Sequence, residues 1–211
     1  MSFDVDVRVQ LGGQLLGARF ATDEGLTLLF GPSGAGKTTI LNMVAGLVPP
    51  DAGHVRVGSD TLFDSAAGVN VPAHRRRLGF VFQDARLFPH MKVRANLLYG
   101  WKLARAEDRW IALEDVTAFL GIGALLDRQP RTLSGGEAQR VAIGRALLSG
   151  ARALLMDEPL ASLDPDRSAE IMRVIERVRD ELKLPILYVT HDREEAARLA
   201  THRIEVHPLQ P

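Results

Sequence analysis

A glycine-rich segment near the N-terminus constrains the fold of this chain more than any other feature. The sequence GPSGAGKT, residues 31–38, matches the pattern G-x-x-x-x-G-K-[ST] in full and follows the apolar run at residues 26–30. Glycines let the backbone curl so that successive N–H groups point at phosphate oxygens, and a following helix adds its positive dipole end to the same anion site. The pattern therefore predicts a strand, a phosphate-binding loop and a helix, in that order.

The residues of this loop are suited to hold a nucleoside triphosphate. Lys37 is long enough to reach the β- and γ-phosphates, and the Thr38 hydroxyl can ligate Mg²⁺. The expected ATP-binding residues are Gly31, Pro32, Ser33, Gly34, Ala35, Gly36, Lys37, Thr38 and Thr39. The pattern thus predicts ATP as a ligand and Mg²⁺ as its cofactor.

The composition of the chain limits the classes of function open to it. Its 211 residues, 46% of them apolar and 25% charged, fit one globular domain over residues 1–211. The 26 basic and 26 acidic side chains cancel, so the bulk charge gives no reason to expect a nucleic-acid partner. Because cysteine is absent, the chain has no disulfide framework and no thiolate metal site. No apolar run approaches the roughly 20 residues of a membrane span, so any membrane role is expected to be peripheral.

Apolar periodicity along the chain predicts an α/β fold. Residues 5–11 alternate apolar and polar side chains, as a half-buried strand does, whereas short continuous apolar runs predict strands covered on both faces. Those runs lie at residues 26–30, 78–82, 153–156 and 186–190, and the helical segments lie at 38–47, 137–148 and 166–182. Residues 88–131 carry no strand signal. We therefore expect an α/β core with a β-rich edge subdomain and a helical subdomain at about 88–145.

A second candidate site follows the apolar strand at residues 153–156. Asp157 and Glu158 come directly after it, which places both carboxylates at the edge where open α/β sheets bind ligands. A solvated strand end would give the same pair, and the pattern alone does not decide between the two. With the phosphate loop upstream, we expect Asp157 to hold Mg²⁺ and Glu158 to polarise the attacking water.

The segment LSGGEAQR, residues 133–140, opens a helix that precedes these carboxylates. Ser134 is suited to cap that helix, and the two glycines after it permit close backbone approach. Together with the phosphate loop, Gln83, LLMDEP, ASLD and His191, this string resembles the motifs of ATP-binding cassette (ABC) ATPases, in the same order. The resemblance covers nearly all of the chain. It implies a P-loop NTPase core with a mainly parallel sheet and a helical subdomain that carries the signature motif.

The resemblance also implies how ATP is held. In the ABC family two ATPase subunits pair head to tail, and each ATP lies between the phosphate loop of one subunit and the signature helix of the other. We therefore expect a homodimer whose partner-subunit ATP contacts are Ser134, Gly135, Gly136, Glu137 and Asp164. The expected catalytic residues are Glu158, His191 and Gln83, and the expected Mg²⁺ ligands are Thr38, Gln83 and Asp157.

A few positions depart from the family pattern or suit a second role. The family places an aromatic ring against adenine upstream of the phosphate loop, where this chain offers Leu11. Phe20 lies nearby but is expected to pack into the sheet, so the base selectivity stays open. Glu137 stands where many family members have glutamine, whose amide can donate a hydrogen bond as well as accept one. Asp164 is equally suited to cap the helix that begins after it, and both roles can hold.

The stretch after Gln83 is expected to contact a membrane subunit. By resemblance to bacterial importers, this region forms part of a groove that receives a helix of the transmembrane permease. The apolar floor of this predicted docking surface consists of Leu87, Phe88, Met91 and Val93, and its rim consists of His90, Lys92 and Arg94. The alternative is that these apolar side chains belong to the core of the helical subdomain, since most apolar side chains are internal.

The amino-acid sequences of the motifs indicate a particular subfamily. FQDARLFPHMKVRANLLYG, LSGGEAQRVAIGRALL and MDEPLASLD resemble the ATP-binding subunits of bacterial molybdate importers. The resemblance implies ATP hydrolysis that energises import of molybdate, or of a related oxyanion, at the cytoplasmic face of the inner membrane, in a complex with permease subunits and a periplasmic oxyanion-binding protein. ABC ATPases of other importers or exporters, for sulfate, tungstate, iron or polyamines, remain alternatives, and a relative acting on nucleic acid or ribosomes is a weaker one. Because the chain ends at Pro211, soon after a possible strand at 203–206, no C-terminal regulatory domain is expected.

Overall fold

The computed structural model describes residues 1–207, so residues 208–211, the end of the domain expected from the sequence, lie outside the described part. The chain divides into two compact units. The first contains Met1–Arg76 and the chain from Lys183 onward, and the second contains Arg77–Leu182. The second unit extends beyond the helical subdomain expected at about 88–145, because it also includes two strands.

Ten strands and six α-helices make up the described part of the chain. The strands are β1 (Phe3–Leu11), β2 (Gln14–Thr22), β3 (Leu26–Phe30), β4 (Ala52–Val57), β5 (Asp60–Asp64), β6 (Val69–Asn70), β7 (Leu78–Val81), β8 (Ala153–Asp157), β9 (Ile186–Thr190) and β10 (His202–Glu205). The helices are α1 (Lys37–Ala45), α2 (Val93–Leu103), α3 (Leu113–Leu120), α4 (Gly135–Leu148), α5 (Pro165–Asp180) and α6 (Arg193–Leu199).

An antiparallel sheet of the first unit has the strand order β2-β1-β4-β5-β6. β1 alternates buried and more exposed side chains along most of its length, and its buried Val5 pairs with Phe20 on β2 and with Val55 on β4. This is the period-2 pattern read from the sequence, and it confirms the β-rich edge. Phe20 is only 7% exposed, which confirms that it packs into the sheet.

Three parallel strands of the first unit lie in the order β10-β3-β9. β3 and β9 are almost entirely buried, as their continuous apolar sequences predict. Phe30 pairs with Thr190, and each is the last residue of its strand. The segments that follow β3 and β9 therefore begin at the same edge of the sheet.

A fully buried arginine closes the C-terminal end of α1. Nη1 of Arg76 donates to the carbonyl oxygens of Met43 and Val44 at 2.9 and 2.8 Å, and Nε donates to the carbonyl oxygen of Val71 at 2.7 Å. The first two carbonyls belong to the last turn of α1, where helical carbonyls lack intrahelical partners. Burial lowers the pKa of the Arg76 guanidinium from its ordinary value. A Cβ on Gly46 would lie 2.5 Å from Arg76 Nε, so this glycine makes room for the guanidinium.

The second unit combines two parallel strands with four helices. In this unit β7 pairs with β8, and α4 packs against both α2 and α3. Gly144 lets the helices approach closely, since a Cβ there would lie 2.9 Å from side-chain atoms of Leu97 and Leu120. Residues 88–131 form helices and 3-10 turns without a strand, as the sequence predicts.

The helix bounds differ from the expected ones by one or two residues. α1 stops before Gly46, because that glycine adopts the left-handed conformation of a helix C-cap, and α4 begins two residues earlier than expected. α5 starts at Pro165, a favoured first helical residue. Over residues 1–207, no helix combines the length and the apolar character needed to cross a lipid bilayer.

Candidate nucleotide site

The phosphate loop connects the end of β3 to the start of α1, as the sequence predicts. Lys37 is the first residue of α1 and is only 5% exposed. Its Nζ donates to the carbonyl oxygens of Gly31 and Pro32 at 2.8 and 2.9 Å. An ammonium group has three N–H donors, so one donor remains for a phosphate oxygen. The loop therefore holds its own cation at a helix N-terminus, where backbone N–H groups also favour an anion.

The shape of this loop depends on a glycine immediately before α1. Gly36 has φ +92°, and a Cβ there would lie 3.1 Å from the Leu16 side chain. Among the residues expected to bind ATP, Ala35 is buried and its N–H donates to the Pro32 carbonyl at 3.2 Å, whereas Pro32 has no N–H to offer a phosphate. Leu11, which stands in place of an adenine-contacting aromatic residue, is exposed.

His191 lies at the same strand edge as the phosphate loop, within the first unit. Because Phe30 pairs with Thr190, Gly31 and His191 are the next residues of two neighbouring parallel strands. The His191 residue is exposed. The structure therefore brings these two predicted site segments together.

A partly buried hydrogen bond fixes the helix that follows His191. The hydroxyl of Tyr188, a fully buried residue of β9, donates to Oε2 of Glu195 on α6 at 2.7 Å. Burial raises the pKa of the Glu195 carboxyl, and the negative charge of Asp192 adds to this rise. Hydrogen bonds with Tyr188 and Thr190, and the positive charge of a protonated His191, act in the opposite direction. The first turn of α6 is thus bonded to the strand that ends beside the phosphate loop.

In the second unit, Gln83, Asp157 and Glu158 lie at one strand edge. β7 and β8 are parallel and Val81 pairs with Met156, so the residues that follow the two strands meet at their carboxyl ends. Gln83 is exposed, and both carboxylate residues are partly buried. The structure therefore places Gln83 from one sequence motif at the same strand edge as Asp157 and Glu158 from another, and all three side chains carry oxygen atoms.

Glu158 has an unusual backbone conformation. Its φ is +44°, a left-handed value that is costly for a residue with a Cβ, and the following Pro159 restricts it further. Its carbonyl oxygen accepts a hydrogen bond from the N–H of Ala161 at 3.2 Å, which closes a tight turn. Strained residues persist only where the surrounding structure holds them, and they cluster at functional sites. The strain thus supports Glu158 as a site residue.

Thr38, Gln83 and Asp157 carry ligand atoms of the kind that Mg²⁺ takes. Each offers an oxygen: a hydroxyl, an amide carbonyl and a carboxylate. Within residues 1–207, no group of three or more His, Cys, Asp or Glu side chains is arranged to hold a metal ion by itself. Mg²⁺ usually keeps several waters and binds through one or two carboxylates plus the phosphates of a substrate, so a partial set of protein ligands is sufficient. Gln83 and Asp157, at one strand edge of the second unit, fit this cofactor, and Thr38 of the first unit offers the same type of ligand atom.

Ser134 begins the signature helix α4 with a capping box, as its sequence predicts. The Ser134 hydroxyl accepts a hydrogen bond from the N–H of Glu137 at 3.3 Å, and Oε2 of Glu137 accepts from the N–H of Ser134 at 2.7 Å. Oε1 of Glu137 pairs with Arg128 at 3.1 Å. The bond from the Ser134 N–H, helped by Arg128, holds the pKa of Glu137 below its usual range. Because both carboxylate oxygens are engaged within the chain, Ser134 and the two glycines are better placed than Glu137 to contact a phosphate.

The N-terminus of α5 lies beside that of α4. Asp164 caps α5 by accepting a hydrogen bond from the N–H of Arg167 at 3.1 Å, which confirms its expected capping role. A Cβ on Gly135 would lie 2.8 Å from Leu163, and a Cβ on Gly136 would lie 3.6 Å from Arg167. The residues expected to contact the ATP of a partner subunit therefore lie together at the ends of two helices.

Asn96 organises the loop after Gln83, although no sequence motif singles it out. Asn96 is fully buried, and its Oδ1 accepts a hydrogen bond from the N–H of Phe88 at 2.8 Å. Its Nδ2 donates to the carbonyl oxygens of Phe88 and Met91 at 3.1 and 3.0 Å. The available signal was a polar residue beside Leu97 on the apolar face of α2, where a buried amide needs partners.

The predicted docking surface is only partly exposed. Val93, the first residue of α2, is fully buried, so its assignment to this surface is wrong. It belongs to the apolar face that α2 turns toward the core of its own unit. Leu87, Phe88 and Met91 are partly buried. Phe88 borders a groove of about 420 Å³, together with Phe80, Phe82, Arg86, Tyr99 and Arg145.

A family comparison accounts for these motifs as one set. Residues 19–161, more than half of the chain, match the family model described as ABC transporter. The chain belongs to the ABC transporter family. The matched segment includes the phosphate loop, Gln83, the signature helix and the carboxylates after β8.

Several curated ABC proteins resemble the chain along nearly its whole length. The molybdenum import ATP-binding protein ModC of Mesorhizobium japonicum is 57% identical over 201 residues, which cover 95% of this chain and 54% of that protein. The proteins of the same name from Rhizobium meliloti and Brucella abortus are 52% and 55% identical, over 95% and 93% of this chain and 56% and 54% of their own lengths. The chain spans about half the length of the curated relatives it matches.

Solved ABC structures share the architecture. CbiO1 from Clostridium perfringens, part of the ABC transporter complex CbiONQ, superposes with a TM-score of 0.81 at 26% identity, covering 97% of this chain and 84% of CbiO1. The dimeric ATP-binding cassette MJ0796 bound to ADP and Pi gives a TM-score of 0.76 at 25% identity, covering 98% of this chain and 94% of that one. These likenesses confirm the expected fold class, an ABC ATPase fold with parallel strands and a separate antiparallel sheet.

Proposed function

We propose that this chain is the ATP-hydrolysing subunit of a bacterial molybdate importer. The observation that carries the proposal is the 57% identity to a molybdenum import ATP-binding protein along 95% of the chain. The local geometry agrees with it, since the chain has a phosphate loop with a fixed lysine, a strained carboxylate after β8 and a capped signature helix.

The proposed reaction is attack of water on the γ-phosphate of ATP, which gives ADP and phosphate. Glu158 is the proposed general base, which accepts a proton from the attacking water. His191 and Gln83 orient the water and the γ-phosphate, each from the carboxyl end of a parallel strand. Lys37 is long enough to reach the β- and γ-phosphates, gives its remaining N–H donor to one of their oxygens and offsets their negative charge.

The proposed cofactor is Mg²⁺, held by Thr38, Gln83 and Asp157. When bound, it neutralises negative charge that develops on the phosphate oxygens. The positions of Gln83 and Asp157 after two paired strands support this assignment, because both offer oxygen ligands at one edge.

The proposed active form is a homodimer. The N-terminus of α4, with Ser134, Gly135 and Gly136, offers backbone N–H groups to an anion. The proposed anion is the γ-phosphate of an ATP molecule bound to a second copy of the chain. Asp164 lies beside this end, and the related cassette MJ0796 is a dimer with ADP and Pi. In such an arrangement ATP stabilises the dimer, and hydrolysis weakens it.

The proposed partners in the membrane are permease subunits that receive molybdate from a periplasmic oxyanion-binding protein. The cargo would then cross the membrane without touching this chain. Leu87, Phe88 and Met91 form the proposed contact with a permease helix, because all three are apolar and only partly buried and Phe88 borders the groove of the second unit. This contact would hold the chain at the cytoplasmic face of the membrane.

Glu158→Gln tests the proposed reaction. Glutamine keeps the shape of the side chain but cannot take the proton, and general-base catalysis contributes about 10²–10⁴-fold to a rate. We expect kcat for phosphate release to fall at least about 100-fold, while equilibrium binding of ATP persists and ATP traps the dimer on size-exclusion chromatography. The control is Glu114→Gln, which alters an exposed carboxylate of α3 in the same unit and should keep the full rate. Rapid turnover by Glu158→Gln would contradict the general-base assignment.

The cargo is tested separately, in the complex with permease subunits and the oxyanion-binding protein. Molybdate-loaded receptor should stimulate ATP hydrolysis more than sulfate-loaded receptor does. The reverse order would contradict molybdate as cargo and leave the ATPase assignment intact. Stimulation by DNA or ribosomes, without any response to the receptor, would favour the non-transport alternative.

A further inference from the structure

The signature helix α4 bonds to the backbone just before Gln83. Gln139, a buried residue of α4, donates from Nε2 to the carbonyl oxygen of Phe82 at 3.3 Å. Phe82 is the residue that leaves β7, so this bond fixes the point where the chain turns away from the strand. A side chain 57 residues further along the chain thus supports the approach to Gln83.

The same helix bonds to the backbone just after Gln83. Ala85 and Arg86 have φ values of +57° and +43°, a left-handed pair that is costly for residues with a Cβ. Nη2 and Nη1 of Arg145, on α4, donate to the carbonyl oxygens of Ala85 and Arg86 at 2.9 and 2.7 Å. One planar guanidinium therefore holds both carbonyls of the strained pair, which the fork of an arginine allows and a lysine ammonium does not reproduce.

Arg145 makes these bonds from a partly buried position. Burial lowers the pKa of its guanidinium. Within residues 1–207 its hydrogen-bond partners are carbonyl oxygens rather than carboxylates, and it also lies 5.3 Å from the centre of the Phe88 ring. A partly desolvated cation needs such partners, so Arg145 and the strained loop stabilise each other.

We propose that Arg145, assisted by Gln139, is a positioning residue for Gln83. The two side chains hold the backbone on both sides of Gln83, so that its amide is presented at the strand edge it shares with Asp157. The inference rests on the proposed ATPase function. It also gives α4 a double task, since the helix begins at the proposed partner-ATP contact and reaches Arg145 about three turns later.

Arg145→Met tests this role in steady-state kinetics of the full chain. Methionine keeps an apolar stem of similar length and removes every donor, so the loop can relax and misplace Gln83. We expect kcat for ATP hydrolysis to fall about 10- to 100-fold, since displacements near 1 Å cost rates of this order. KM for ATP should change less than about threefold, because the phosphate loop keeps its own hydrogen bonds. Arg145→Lys should recover part of the rate, and Gln139→Met should show a smaller loss.

A double variant separates positioning from general damage to the fold. If Arg145 acts through Gln83, Arg145→Met should cost little further rate in a chain that already carries Gln83→Ala. The matched control is Arg177→Met, because Arg177 also donates to a carbonyl oxygen, that of Phe119 at 2.7 Å, and lies 4.1 Å from the centre of the same residue's ring. This control should lose folding stability without losing kcat. An undiminished loss in the Gln83→Ala background, or an unchanged kcat in Arg145→Met, would overturn the proposal.

Amide hydrogen exchange provides a readout that does not depend on ATP hydrolysis. Exchange across residues 83–91 should accelerate at least about tenfold in Arg145→Met and stay unchanged in Arg177→Met. Unchanged exchange in Arg145→Met would overturn the proposed support of the loop. If the unaltered chain does not hydrolyse ATP, the proposed function fails instead, and the exchange result still decides whether Arg145 holds the loop.

Discussion

The phosphate loop and the loop after Gln83 both follow a parallel strand and both contain left-handed backbone, yet they are held in different ways. In the phosphate loop, glycines take the left-handed positions, and Lys37 bonds to carbonyl oxygens five and six residues away. In the loop after Gln83, Ala85 and Arg86 take the left-handed positions, and the guanidinium that bonds to them comes from 59 and 60 residues along the chain. The first loop supports itself, whereas the second depends on a folded neighbour.

This difference has a functional consequence. A loop that supports itself binds phosphate in nearly the same shape whatever packs around it. A loop whose strained backbone also bonds to another helix responds when that helix moves, because part of its support lies outside the loop. The loop after Gln83 is therefore the part of the proposed site that can respond to changes at α4 or in the groove beside Phe88.

The largest effect is expected at Arg76, which bonds to the last turn of α1, the helix that follows the phosphate loop. Removing this support tests whether the phosphate loop holds its own shape. Arg76→Met leaves the carbonyl oxygens of Met43, Val44 and Val71 without the guanidinium. The Met43 carbonyl keeps the N–H of Gly46 at 3.1 Å, so the loss falls mainly on the other two acceptors. A buried acceptor without a partner costs about 1 kcal/mol or more, so we expect the free energy of unfolding in urea to fall by about 2–3 kcal/mol. KM for ATP of the folded protein should stay within about threefold of the original value, because the bonds inside the loop persist.

Arg75→Met is the control for this change, because Arg75 is the exposed neighbour of Arg76. It should alter the free energy of unfolding by less than about 0.5 kcal/mol. If Arg76→Met raises KM tenfold or more along with the loss of stability, the phosphate loop is not self-supporting, and the contrast between the two loops disappears.

Inside the phosphate loop, we expect a substitution to lower the folding stability less than Arg76→Met does and to weaken ATP binding more. Gly36→Ala places a Cβ at φ +92°, 3.1 Å from the Leu16 side chain. We expect the free energy of unfolding to fall by about 1–2 kcal/mol. The dissociation constant for ATP, measured by calorimetry, should rise at least about tenfold, because the start of α1 must shift where its N–H groups meet phosphate.

Gly68→Ala separates backbone strain from loss of binding. Gly68 has φ +68° in a turn of the same unit, and a Cβ there would meet no atom within 4 Å. It should lose stability by a similar amount and bind ATP as before. Equal binding by Gly36→Ala and Gly68→Ala would show that the geometry at Gly36 does not govern phosphate binding.

The contrast between local and distant support also explains which features could be predicted from the sequence. The strands β3 and β9, the cap at Ser134 and the cap at Asp164 follow from residues that lie next to each other, and the structure confirms them. The bonds from Arg76 to α1 and from Arg145 to the loop after Gln83 join residues 32 to 60 positions apart, and no local sequence pattern predicts such pairs. Val93 was misassigned for a related reason, because an apolar side chain reads the same in a sequence whether it faces a partner or its own core.

The smallest effect is expected at Glu195, whose bond to Tyr188 spans seven residues and supports the strand edge beside the phosphate loop. Because burial raises the pKa of Glu195, the folded chain keeps the proton at pH values where the unfolded chain has lost it. The resulting stability is fully present below the ordinary pKa of 4.5 and is lost as the pH rises through the raised value. Glu195→Gln keeps an acceptor for the Tyr188 hydroxyl and carries no charge. Relative to the unaltered chain, it should therefore be more stable at pH 8 than at pH 4, by about 1 kcal/mol or less.

Urea unfolding at the two pH values measures this difference, and Glu194→Gln is the control because it removes the neighbouring exposed carboxylate. The control should show no comparable change between pH 4 and pH 8. If Glu195→Gln is instead less stable than the unaltered chain at pH 8, the bond from Tyr188 to a charged carboxylate outweighs the cost of burying that charge. The first turn of α6 would then depend on an ionised Glu195. The strand edge that carries His191 would in that case need a charged neighbour for support, as the loop after Gln83 needs Arg145.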